Sequence, residues 1–526
     1  MFGDARVSIP APLLKITNRL VAAQIVLVVA GTGLAFGGAV WWMKPTLAVL
    51  IGTLAMTALM QAWMSGRVMI LKSPLTLLGL LAVGLAVAQI TPLPGRIAGQ
   101  ISPAARSAHA LGLLPQRAIL DDPALVMPDV VADRTPTTID RPATLRWLLG
   151  AMACLTVFCV CAHHADRLGR ANLIWGSVVA VYFIGTTFGA AQVLGGVSGL
   201  YGVIEPGSGR FLSPSMADLG RSPGSTVLRP VTDSPGGSSV LALPRPGRPF
   251  SFGTMVGGPG AYLALAALAL PLALGLTLDA LAPRGSRERL SARLRASHRT
   301  GLVALLVMMT GSSAVLTGYL CGPVLALPFA LAMVCIGLPA AWSSGLRWVS
   351  VGLTSLALAA LVSGVTLGEV AGRPAGCEPW SDPAGFSGVS STWAEAVGAF
   401  RQFPLVGSGL GTYPTVAAYF KTSDETWTTA RSSLLQWAVE SGVAGLALIA
   451  MAGAWCLVRL PGAIRRVGSA DKTLAYTLLG TALCFTLVSA LHGTVEVLGV
   501  AVAACAVGGT CNRWLAGGTD LFVEGT

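Results

Sequence analysis

Twelve apolar stretches, each close to the length of a membrane-crossing helix, follow one another along this chain and limit its fold more than any other feature. They cover about 20–42, 46–63, 74–93, 145–162, 172–195, 258–282, 301–318, 322–341, 348–368, 433–458, 474–491 and 495–511. A helix needs about 20 mostly apolar residues to cross the hydrocarbon of a bilayer. Within lipid, a helix or a closed barrel is the only way to satisfy the backbone. Of the 526 residues, 53% are hydrophobic and 11% charged, where an ordinary soluble domain carries about 25% charge. Disorder is excluded, because it requires low hydrophobicity and high charge. The expected fold class is an all-α polytopic membrane protein of about twelve transmembrane helices. The seventh and eighth stretches, parted only by a turn at Tyr319–Gly322, could form a hairpin that does not fully span. The first stretch is longer than a signal-peptide core and lacks a clean cleavage site, so it is expected to be a retained span.

The net charge of +12 would point to nucleic acid in a soluble protein, but in a membrane protein basic residues anchor cytoplasmic loops. Arg6, Lys15 and Arg19 precede the first stretch, and Arg67 and Lys72 follow the second. Arg167 and Arg170 follow the fourth, and six arginines from Arg284 to Arg299 follow the sixth. Arg347 follows the eighth, and Arg459, Arg465, Arg466 and Lys472 follow the tenth. All of these fall on one side if the N-terminus is cytoplasmic. The opposite short loops hold only Lys44. An even number of spans then puts both termini in the cytoplasm. The ten cysteines lie mostly in or beside apolar runs and form no CxxC pair or Cys/His cluster. They are expected to act as small hydrophobes, with no disulfide framework, metal or cofactor.

The expected organisation is 1–93 with helices one to three, 94–144 as a first outer loop, and 145–195 with helices four and five. A second outer loop, 196–257, is rich in Gly, Ser and Pro. Helices six to nine occupy 258–368, a large outer loop 369–432, and helices ten to twelve with a tail 433–526. The third loop holds Trp380, Trp393, Phe400, Phe403, Tyr413, Tyr419, Phe420 and Trp427. Two readings of it stay open: a folded unit, as for many long functional loops, or an interfacial aromatic belt.

Five segments carry a family resemblance. Phe403-Pro-Leu-Val-Gly-Ser-Gly-Leu-Gly-Thr-Tyr413 resembles the "fPllGtGlGtf" signature of the O-antigen ligase and polymerase family. Ala430-Arg-Ser-Ser-Leu-Leu-Gln436, continuing through Glu440-Ser-Gly-Val-Ala-Gly445, resembles its "HNdyLq…E.GliGl" segment. Ser489-Ala-Leu-His492 with Val495-Glu496 resembles a later "HslvDf" segment. Phe252-Gly-Thr254 with Ala261-Tyr-Leu263 resembles "FGtfvNrNhfAgyL", and the run from Thr135 to Thr144 resembles "plSldp.aT". The matches keep family order from about residue 135 to 496.

The resemblance implies a GT-C-like inverting glycosyltransferase of the inner membrane. Such an enzyme moves a glycan from an undecaprenyl diphosphate carrier to a lipid, glycan or protein acceptor on the outer face. It implies no nucleotide sugar and no metal, because the leaving group is already a lipid diphosphate. The chemistry asks for fixed positive charge beside the diphosphate, which arginine supplies bidentately. A base for the acceptor hydroxyl would also serve it.

The sequence departs from the family at three polar places. Arg431 and Ser432 stand where the family has His-Asn, Gly257-Gly-Pro-Gly260 replaces Asn-Arg-Asn-His, and Cys321 or its neighbours replace an arginine. The candidate catalytic residues are Arg431, which can hold a diphosphate but cannot act as a base, and His492 with Glu496 one helical turn on, a base with an orienting acid. The candidate substrate-binding residues are Arg401, Arg248, Arg210, Lys421 and Glu440, the last a carboxylate inside an apolar stretch and therefore costly. The bland alternatives are a snorkelling Arg431, solvated loop charges, a hydrogen bond closing a helical hairpin for His492, and a structural partner role for Glu440. The glycines at 407, 409 and 411 lack the strand and the Lys-Ser/Thr of a nucleotide loop and are read as a tight turn.

Two other classes compete with the transferase. One is a non-catalytic relative acting as a scaffold in surface polysaccharide assembly. The other is a lipid-linked glycan transporter, which would show internal repeats; none is evident between the two halves.

Overall fold

The computed structural model describes residues 11–35, 43–65, 73–112, 134–165, 168–195, 259–281, 292–343, 347–371, 383–420, 429–466, 472–493 and 497–516. The chain opens with three helices, α1 (Ala11–Leu34), α2 (Met43–Ser65) and α3 (Pro74–Ile90). A two-residue strand β1 (Leu93–Pro94) leads to short helices α4 (Gly95–Ile101) and α5 (Pro103–Gly112), and β2 (Arg134–Thr135) pairs antiparallel with β1, Leu93 opposite Thr135. Then come α6 (Arg141–His164), α7 (Leu168–Gly195), α8 (Pro259–Leu281), α9 (Ala292–Ser343) and α10 (Arg347–Ala371). The last group is α11 (Pro383–Gln402), α12 (Tyr413–Phe420), α13 (Ser433–Arg466), α14 (Lys472–Leu491) and α15 (Leu498–Leu515).

Ten of these helices are long and apolar enough to cross a membrane. The sequence reading of about twelve differs for two reasons. The stretch 74–93 forms a helix of only 17 residues, and the stretches 301–318 and 322–341 fall within the single element α9. That element is broken: Gly322 has φ 68° and ψ 176°, outside the helical region, and Pro323 follows it. Glycine accepts a positive φ without the Cβ clash that other residues meet.

The apolar helices have no strongly polar face, as expected where lipid covers one side and other helices the other. Helix α8 is the most enclosed, with Leu270, Leu272 and Ala273 inaccessible. It packs closely on α14, and a Cβ at Gly275 would lie 1.9 Å from Thr477 Oγ1. Buried hydroxyls satisfy themselves on their own helices, as Thr277 Oγ1 does on the Ala273 carbonyl at 2.7 Å and Thr477 Oγ1 on Thr473 at 2.7 Å, the usual solution for Ser and Thr in apolar helices. Between helices, Tyr182 Oη meets Thr317 Oγ1 at 2.7 Å and Tyr262 Oη meets Thr186 Oγ1 at 2.8 Å, joining α7, α8 and α9.

At one end of the bundle, α5, α11, α12 and the start of α13 share a separate small core of Ala105, Ala396, Ala399, Phe403, Tyr413, Val416, Ala430 and Val439. The described parts of 94–144 and 369–432 therefore form a helical cap. Phe403 and Tyr413 are buried in it, whereas Tyr419 is exposed. The segment 196–257, Trp380 and Trp427 lie outside the described residues.

Candidate functional site

The site is organised around a gap in α13. Gly442 has φ 64° and ψ −161°, so the apolar run expected as one helix over 433–458 is two helical pieces. In an uninterrupted helix the amides of Val443 and Ala444 would reach the carbonyls of Val439 and Glu440. Here the glycine loop 403–412 takes both sides of those bonds. Val443 N donates to the Pro404 carbonyl at 2.8 Å and Ala444 N to Leu405 at 3.1 Å. Ser408 N donates to the Val439 carbonyl at 2.9 Å and Gly409 N to Glu440 at 3.1 Å. These four loop bonds pair both the amides and the carbonyls of the two helix bonds that would join Val443 to Val439 and Ala444 to Glu440.

Approach this close excludes side chains. A Cβ at Gly407 (φ 76°) would fall 2.2 Å from the carbonyl carbon and oxygen of Glu440, and one at Gly442 would fall 2.5 Å from those of Leu405. The glycine signature is thus the surface by which a loop docks into a broken helix.

Glu440 clamps the same loop. One carboxylate oxygen accepts Gly411 N at 2.8 Å, and the other accepts Tyr413 N at 3.0 Å and Gln436 Nε2 at 3.2 Å. The carboxylate is buried and its oxygens are occupied by the fold, which makes Glu440 a positioning residue in this geometry.

Two residues that sequence reasoning passed over complete the frame. Gln89, fully buried in the last turn of α3, donates to the carbonyls of Val406 at 2.6 Å and Glu440 at 2.9 Å, and accepts Leu410 N at 3.0 Å. Its signal was a lone amide in an apolar stretch, where an unmatched polar group is costly. Asp140 caps α6 by accepting Ala143 N at 2.9 Å, and its other oxygen accepts the Thr415 hydroxyl at 3.1 Å. An Asp before Arg-Pro is a readable helix start. The chain beside it is tied in as well: Ile139 N donates to Ser408 O at 2.9 Å and Thr138 N to Gln89 O at 3.1 Å.

Arg431 lies at the mouth of this frame. It is buried, and with φ 50° it is the sole described non-glycine residue at positive φ. Left-handed backbone is uncommon for such a residue and concentrates at functional positions. The turn it makes lets Ser432 cap α13, with the Ser432 hydroxyl accepting Leu435 N at 3.3 Å and donating to the Ala490 carbonyl at 2.6 Å. That second bond ties the segment to the end of α14, where His492 follows. A Cβ on Gly493 would come within 3.3 Å of the Arg431 backbone, so His492 and Arg431 are neighbours.

His492 Nδ1 is buried and has no hydrogen-bond partner. Burial, and then the Arg431 charge, push its imidazole down to about 4. It is therefore neutral at pH 7. Unfolded, a histidine titrates near 6.5, so between 6.5 and 4 acid protonates the unfolded chain in preference to the folded one. The stability His492 contributes is complete above 6.5 and is lost as the pH falls towards 4. His492→Gln removes this term. In detergent-solubilised protein, wild type should lose more of its thermal transition temperature between pH 7 and 4.5 than His492→Gln does; equal losses would refute the assignment.

The other candidates lie apart. Arg401 is exposed at the end of α11. Arg210, Arg248, Lys421 and Glu496, the expected partner of His492, lie outside the described residues. Among the described residues no cluster of three or more His, Cys, Asp or Glu has the arrangement of a metal site. Four of the five segments that carry the family resemblance meet at this end in their described residues: 135–144, 403–413, 430–445 and 489–492. No protein-family model matches the chain, and no curated protein matches it.

Proposed function

We propose that the chain is an O-antigen ligase-like glycosyltransferase, of the ligase or polymerase type and GT-C-like in architecture. It sits in the cell inner membrane with twelve spans, both termini in the cytoplasm and the glycine-loop end facing outward. Twelve spans follow if α3 crosses and α9 crosses twice. The apolar part of α9, 40 residues, would extend about 60 Å if straight, twice a hydrocarbon core of about 30 Å. The break at Gly322 allows the return.

The observation that carries the reading is the convergence of four family-like segments on one frame, with Arg431 and His492 beside each other at its edge. In this reading the donor is a glycan on undecaprenyl diphosphate. Arg431 holds the diphosphate, and its charge stabilises the leaving group. The acceptor hydroxyl attacks the anomeric carbon, the bond from that carbon to the diphosphate oxygen breaks, and undecaprenyl diphosphate departs. His492, neutral and unpartnered at Nδ1, takes the hydroxyl proton. No metal or cofactor enters. The acceptor is a lipid, a glycan or a protein.

One observation favours the alternative, a non-catalytic scaffold for surface polysaccharide assembly. The buried carboxylate of Glu440 is consumed by the loop, and Arg431 cannot accept a proton. Cells separate the two readings. On deletion, carrier-linked glycan should accumulate; wild type should clear it, and Arg431→Ala should clear it at least about tenfold more slowly, the effect of losing one charge-assisted contact. No accumulation on deletion would end the transferase reading.

A further inference from the structure

The opposite end of the bundle holds a second polar cluster that the glycine-loop site does not use. Helices α6 and α15 both run from the loop end towards it and pack closely on the way. A Cβ at Gly509 would lie 2.4 Å from the Phe158 carbonyl oxygen and 3.0 Å from Ala162 N. Helix α7 joins them, Trp175 Nε1 donating to Thr510 Oγ1 at 2.9 Å. One turn further on, the last turn of α15 carries Asn512 and Arg513. Ser73, the residue that caps α3, meets Asn512 there through a hydroxyl-to-Oδ1 hydrogen bond.

Two donors in this cluster are unanswered. Asn512 is fully buried and its Nδ2 has no hydrogen-bond partner. Arg513 is 8% exposed, its Nε has no partner, and no described carboxylate pairs with it. A guanidinium held nine-tenths out of water without a counter-charge is expensive. A buried amide donor beside it points to the same deficit: an acceptor carrying negative charge and more than one oxygen. Arginine matches a phosphate in both charge and planar geometry. The cluster lies at the last turn of membrane-crossing helices, the depth at which phospholipid phosphates sit, and basic pockets between such helices are known lipid headgroup sites.

We infer that Arg513 and Asn512 form a binding site for a phosphate-bearing anion at the end of the bundle remote from the glycine loop, with the headgroup of an anionic phospholipid as the occupant. The inference does not depend on the transferase reading.

The test uses the full chain, purified and delipidated in a maltoside detergent, which carries no phosphate. Phosphatidylglycerol, uncharged diacylglycerol and inorganic phosphate are titrated separately, and binding is read by native mass spectrometry and by thermal shift. Wild type should bind phosphatidylglycerol, and Arg513→Gln should bind it about tenfold more weakly, the loss of one charged hydrogen bond. Arg513→Lys, which keeps the charge without the fork, should fall between them. Mass spectrometry of the folded, monodisperse fraction of each variant keeps the comparison valid if one of them expresses poorly. A response to inorganic phosphate alone would keep the anion site and reassign its occupant to the free ion. Equal binding of diacylglycerol and phosphatidylglycerol, or unchanged phosphatidylglycerol binding by Arg513→Gln, would overturn the proposal.

Discussion

Gly407→Ala is expected to release the glycine loop from α13 and to lower stability by about 3–5 kcal/mol. Two costs combine in that figure. A left-handed alanine costs about 1 kcal/mol. The added Cβ would sit 2.2 Å from the Glu440 carbonyl, and backbone cannot yield there without separating the four loop-to-helix hydrogen bonds, each worth about 1 kcal/mol. The check is thermal unfolding of purified protein in detergent. Gly453→Ala on the same helix is the control, since a Cβ there meets nothing within 4 Å, and it should leave the transition unchanged or slightly raised. If the two variants behaved alike, the docking of the loop into the helix break would be wrong.

Glu440→Ala is expected to be nearly as damaging, at about 3 kcal/mol. It strips the acceptor from two loop amides, those of Gly411 and Tyr413, and a buried amide left without a partner costs about 1–3 kcal/mol. Glu440→Gln should fall between wild type and alanine, because it keeps one oxygen and turns an NH2 group towards the other amide. Gln89→Ala loosens the same loop from α3. The double variant with Glu440→Ala should therefore be less unstable than the two losses summed, the signature of residues sharing one network. Strict additivity would mean that Gln89 and Glu440 act on separate structures.

The membrane character of this chain is written in its apolar stretches, because lipid imposes one rule on every span. The break at Gly322 could also be read, since a Gly-Pro pair between two apolar stretches leaves a helix few ways to continue. The break at Gly442 could not. It lies inside a run from 433 to 458 whose hydropathy passes over it, and its backbone groups are satisfied by a loop some 35 positions earlier in the sequence. Hydropathy reports burial; it does not report which partner takes a hydrogen bond.

The same limit applies to the site. Glu440 stands out in the sequence as an intramembrane carboxylate, but its task is set by the amides of Gly411 and Tyr413, which only the fold brings to it. Gln89 is separated from the loop by more than 300 positions and belongs to no motif. Arg431 and His492 stand in segments some 60 positions apart in the sequence, and their adjacency comes from Ser432 reaching the end of α14. The left-handed backbone at Arg431 has no sequence signal, because arginine carries no preference for it.

Both the frame and the proposed chemistry meet at Arg431. The direct measurement is release of undecaprenyl diphosphate by purified wild-type protein in liposomes supplied with carrier-linked glycan and acceptor, beside Arg431→Ala protein whose thermal transition matches wild type. The account predicts release by wild type and at least about tenfold less by the variant. Equal release by both, or none by wild type with donor and acceptor present, would contradict it.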